Sequence, residues 1–115
     1  MRKQQIENAA FEVATQVRAV EDSIDAALSE VAELQARIMR ANSVARVGFG
    51  TVHPVLKELA AAVKVLVEAR GSVVGCHTAL AEAKGKVPGL RTVSFGEGSE
   101  CPDQKTAFAD LRIVA

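Results

Sequence analysis

Apolar residues recur along the first forty-five positions at alternating steps of three and four. One row is Ile6, Val13, Val20, Ala27, Leu34 and Ala41, and the other is Ala10, Val17, Ile24, Val31, Ile38 and Ala45. The pattern lasts for more than five heptads without a glycine or proline. Such a repeat predicts one long amphipathic helix over about residues 4–46. Forty helical residues run about 60 Å. Glu7, Asp22, Ser29, Gln35 and Asn42 fall outside the two rows and are expected on the solvated face. Phe11, Leu28 and Met39 lie beside the rows and widen the apolar stripe. A stripe of that width suits a bundle of three or four helices better than a two-stranded coiled coil.

Gly48-Phe49-Gly50 is expected to break this helix, and Thr51-Val52-His53-Pro54 to open a second over about residues 52–85. Proline suits the first helical turn, where its missing N–H leaves no bond unmade. The second pattern has a main row of Val52, Leu59, Leu66, Val73 and Leu80, and a companion row of Val55, Ala62, Ala69, Cys76 and Ala83. Small residues in the companion row allow close approach of backbones. Gly85 and then Pro88-Gly89 end the helix. A short turn between two long helices makes them antiparallel neighbours. The expected fold is mainly α: an antiparallel hairpin over residues 1–88, dimerising into a four-helix bundle. The tail, 89–115, alternates like a strand from Leu90 to Phe95; Lys105 to Ala115 reads as a short helix or a strand, with Leu111-Arg112-Ile113-Val114 favouring the strand and a short β-hairpin.

Composition strengthens the case for a partner. The chain has 115 residues, no tryptophan or tyrosine, and only four phenylalanines. Small aliphatics bury less area per residue, so a lone hairpin has little interior. Fourteen basic and fourteen acidic residues give zero net charge, which argues against nucleic-acid binding and against a polybasic membrane surface. The charges are nonetheless segregated. The first helix is acidic from Glu21 to Glu33 and basic at Arg37, Arg40 and Arg46. In an antiparallel dimer of first helices, the basic end of one chain lies near the acidic stretch of the other. No apolar run reaches the ~18 residues needed to span a bilayer, and Met1-Arg2-Lys3 is followed by polar residues rather than a signal segment. A cytoplasmic protein is expected.

Candidate chemistry is sparse. Cys76 and Cys101 form no disulfide framework, and Cys76 is expected to be a small inward-facing thiol. His77 is adjacent to it, but neighbours on a helix point about 100° apart and do not share a metal readily. His53 reads as a polar residue flanking a helix start. The acidic residues contain no Glu-x-x-His motif of the kind diiron bundles use. Gly96-x-Gly98 lacks the lysine and following helix of a phosphate loop. No nucleophile–base pair is visible, so no enzyme and no cofactor is expected. Gly71, Gly75 and Ala79, spaced by four, form a small-residue ridge, read equally as a site of close helix or partner approach or as a tolerated kink.

Length and topology are similar to those of the small secreted helical-hairpin proteins with Trp-x-Gly at the turn. This chain has Gly48-Phe49-Gly50 there and lacks the tryptophan and the tail tyrosine, so that family is not adopted. Small bacterial and prophage-type helical proteins look broadly similar, without a motif to carry the comparison. The residues point to a structural or adaptor protein, a homo-oligomer, most simply a dimer, with a possible further protein partner. The interaction residues expected on the first helix are Val13, Val17, Val20, Ile24, Val31, Leu34 and Ile38. On the second they are Leu59, Leu66, Gly71, Gly75 and Ala79. A small-molecule- or metal-binding bundle using Cys76, His77 and His53 is the alternative.

Overall fold

The structure, a computed structural model, describes residues 2–90. The tail beyond Leu90, including both expected strands, lies outside the described residues. Two helices account for nearly all of the rest: α1, Arg2–Ala45, and α2, Phe49–Lys84. Leu90 itself, expected to open a strand, lies in a turn.

α1 is 44 residues long, as an uninterrupted heptad without glycine or proline requires. It ends where Arg46 turns into the left-handed region at φ 53°. The Arg46 N–H donates to the Asn42 carbonyl at 2.9 Å. Left-handed backbone costs a non-glycine residue about 1–2 kcal/mol, so the reversal is made by arginine and not, as expected, by the glycines. The link is therefore short. Phe49 and Gly50 belong to the first turn of α2, which begins three residues earlier than the pattern suggested. Pro54 consequently falls inside the helix. Its absent N–H leaves the Gly50 carbonyl without the usual i→i−4 donor. At the far end, α2 tightens into three-residue turns. Lys86 N–H donates to the Ala83 carbonyl at 3.0 Å and Val87 N–H to the Lys84 carbonyl at 3.1 Å. Lys84 in the last turn complements the helix dipole.

Packing divides the chain into two compact units. One is Val17–His77. Its two helical arms are antiparallel, because Asp25 pairs with Arg70 and Glu21 with His77. The half-buried residues of α1 in this unit include Val17, Glu21, Ile24, Leu28, Val31, Ile38 and Asn42, and also Arg18, Ala27 and Ala36. On α2 they include Leu56, Leu59, Val63, Leu66, Val73 and His77. The other unit joins the first turns of α1, through Gln16, to the described residues 78–90. It contains Leu90, 5 % exposed, beside a shallow depression of about 290 Å³ lined by Arg2, Lys3, Ile6, Pro88, Gly89 and Leu90.

No described residue of either helix is buried. A two-helix layer covers only one edge of each apolar stripe, and the remainder stays open to water.

Candidate interaction surface

The rows that meet between the arms differ in part from those the periodicity singled out. Val17, Ile24, Val31 and Ile38 on α1, with Leu59 and Leu66 on α2, are half-buried in the hairpin interior. The row opposite them on α1 is not Val20–Leu34 but Glu21–Leu28–Asn42. On α2 it is Leu56, Val63 and His77, with the exposed Arg70 in the same row, whereas of Val55, Ala62, Ala69 and Cys76 only Ala69 is half-buried. Asn42, expected in solvent, thus lies in the interior. Cys76, expected inward, is exposed.

This shift has a simple geometric cause. In each helix three adjacent rows run along the stripe, and a single neighbour can cover only two of them. Antiparallel pairing places equivalent rows of the two helices on the same side of the contact. One side carries the polar contacts. Asp25 Oδ1 accepts from Arg70 Nε at 2.8 Å. Glu21 Oε1 lies 3.1 Å from His77 Nδ1, which must carry the hydrogen because a carboxylate only accepts. The hydrogen bond that Arg70 donates to Asp25, then the negative charge of Asp25, hold the Arg70 guanidinium above its ordinary pKa. Both of these side chains are more than half exposed, so the pair sets register more than it adds stability. Asn42 Oδ1 is shielded from water with no hydrogen-bond partner among the described residues. A polar group in that position specifies register at a cost in stability.

The opposite side is apolar throughout. There the half-buried rows of Val17–Ile38 and Leu59–Val73 are flanked by Val20, Ala27, Leu34 and Ala41 on α1. On α2 the flanking residues are Val55, Ala62, Ala69 and Cys76. No charged residue occurs in any of these four rows. Val20 is 38 % exposed, Leu34 48 % and Val55 45 %. Val44 and Val65 lie one row further out and are more exposed still, in rows that also carry Glu30, Arg37 and Glu58. The polar side also exposes Met39, Val67 and Val74, but there they are interrupted by Arg18, Asp25 and Arg70.

The remaining expected interaction residues lie elsewhere. Val13 is exposed and belongs to the other unit. Gly71 and Gly75 are exposed, and a Cβ added at either would meet nothing within 4 Å. Close approach of another part of this chain therefore does not explain them. Ala79 is also exposed.

The described residues contain no group of three or more His, Cys, Asp or Glu placed to hold a metal ion, and no helix long and apolar enough to cross a membrane. Comparison with protein-family models, with curated proteins and with solved structures gives no match.

Proposed function

We propose that the chain is a structural or adaptor protein that acts by helical self-association, with a dimer of hairpins as its simplest form. The observation that supports this most is an 80-residue pair of helices in which no described residue is buried, alongside an apolar side that carries no charge. Monomeric proteins rarely leave continuous apolar surface of that extent in water. The width of the stripe supports the same reading. In a four-helix bundle each helix has two neighbours, so its apolar arc must serve both. Here one edge of the arc meets the other arm, and the centre and far edge are left for a second contact. Sedimentation equilibrium from 1 to 100 µM is the test. A dimer or larger assembly is expected, and a monomer throughout that range with a cooperative thermal melt refutes the reading.

A further inference from the structure

We infer that the occupant of the apolar side is a second copy of the chain, laid face to face with its direction reversed about a twofold axis that crosses the helices near Leu34 and Ala62. This inference rests on the self-association reading and specifies its geometry. It concerns the unit Val17–His77, where the apolar side and the charges are both described.

Charge decides the orientation. The unit is neutral as a whole, but its two halves are not. The half nearest the turn, residues 34–61, carries Arg37, Arg40, Arg46 and Lys57 against Glu58, a net +3. The other half carries five carboxylates between Glu21 and Glu33, plus Glu68, against Arg18, Lys64 and Arg70, a net −3. Two face-to-face arrangements bury the apolar side with twofold symmetry. With the axis along the helices, turn lies over turn and each α1 lies over the other copy's α2: residues 17–33, net −4, then face residues 62–77, net +1, residues 34–46, net +3, face residues 47–61, net 0, and like charges meet across the diagonal. With the axis across the helices, the basic half of each copy lies over the acidic half of the other. Each exposed pair contributes little, but only the second arrangement sets the acidic stretch of one α1 directly against the basic stretch of the other, which decides between otherwise equivalent apolar contacts.

The same segregation sets the register. On α1 the acidic stretch 21–33 is centred at residue 27 and the basic residues 37–46 near residue 41. Superposing one on the other places the axis at residue 34. The pairs Asp25–Arg70 and Glu21–His77 put residues 61–64 of α2 at the same level. In that band Ala62 lies on the apolar side. Leu34, large and half exposed, then meets its own copy, α1 runs against α1, and Ala27 faces Ala41 of the other copy. The overlay also brings the turn of one copy to the level of Val20 and Cys76 in the other, so it spans the unit from end to end.

Disulfide trapping tests the geometry in full-length protein with Cys76→Ser and Cys101→Ser. Leu34→Cys is expected to form a disulfide-linked dimer under mild oxidation. Ala27→Cys and Ala41→Cys are each expected to stay uncrosslinked alone and to crosslink when mixed. Circular dichroism confirms that each variant remains helical, and sedimentation confirms that each still associates. If Leu34→Cys crosslinks only when mixed with Ala62→Cys, the turn-over-turn arrangement holds and the proposal is overturned while self-association stands. If the dimer persists but neither Leu34→Cys nor the mixed pair crosslinks, the register is wrong and the proposal is likewise overturned. A monomeric parent protein overturns the proposal and the reading beneath it together. Salt gives an independent readout: raising NaCl from 50 to 500 mM is expected to weaken association severalfold. Strengthened association at high salt would contradict the opposed charges.

Discussion

Replacing Leu34 by Asp is expected to abolish association while leaving the hairpin helical. Leu34 is 48 % exposed. Full burial of a leucine side chain is worth about 1.5–3 kcal/mol, so covering the remaining half contributes about 1 kcal/mol per copy, or roughly 2 kcal/mol per dimer. The aspartate adds a larger penalty. Two carboxylates would be withdrawn from water next to each other at the twofold axis, costing a further several kcal/mol. A combined loss of about 4 kcal/mol weakens the dimer about a thousandfold. Within one hairpin the loss is only the covered half of the leucine, about 1 kcal/mol, plus a few tenths of a kcal/mol in helix propensity. Sedimentation velocity over a concentration series reads association, and circular dichroism on the same samples reads helicity. Asp22→Ala, on the outer face of α1, is the control and should associate like the parent. Equal association of the two variants, or an unchanged dimer with a lowered melting temperature for Leu34→Asp, would show that the apolar side faces solvent.

Three further outcomes follow from the interior of the hairpin and from its outer face. Asn42→Leu removes a shielded acceptor that lacks a partner and adds apolar contact. It should raise the urea midpoint by an amount equivalent to about 1–2 kcal/mol, whereas a fall would mean that Asn42 is satisfied by a group outside the described residues. Glu21→Ala removes one hydrogen-bond acceptor of His77, whose side chain is only 13 % exposed, and should destabilise by about 1 kcal/mol; a double-mutant cycle with His77→Ala that gives no coupling would discount the pair. Gly71→Ala and Gly75→Ala meet open space, so each should stabilise α2 by up to about 1 kcal/mol without changing association. Weakened association in either variant would return the glycine ridge to the interface.

Much of the fold is set by sequence alone. An unbroken heptad of helix-compatible residues makes α1, and the absence of any other break leaves room for only one reversal, near residue 48. The apolar character of Val17, Ile24, Val31, Ile38, Leu59 and Leu66 places them in the hairpin interior under either choice of neighbouring row. Periodicity does not say which edge of a broad stripe meets the first neighbour. It locates the centre of the apolar arc, and Val20, Leu34 and Val55 lie near that centre. The arc serves every neighbour at once, so its centre is not where any single helix contacts it. Tertiary structure made that choice. Pairing across the edge that carries Glu21, Asn42, Arg70 and His77 satisfies Glu21, Arg70 and His77 with cross-helix partners, which no local pattern registers because the partners are 45 and 56 residues apart. The turn shows the same division. Glycines marked its place correctly, but the left-handed residue is Arg46, whose N–H still donates to the Asn42 carbonyl. The same pairing turned Cys76 from an expected core thiol into an exposed one and left an uncharged surface on the other side of the helices.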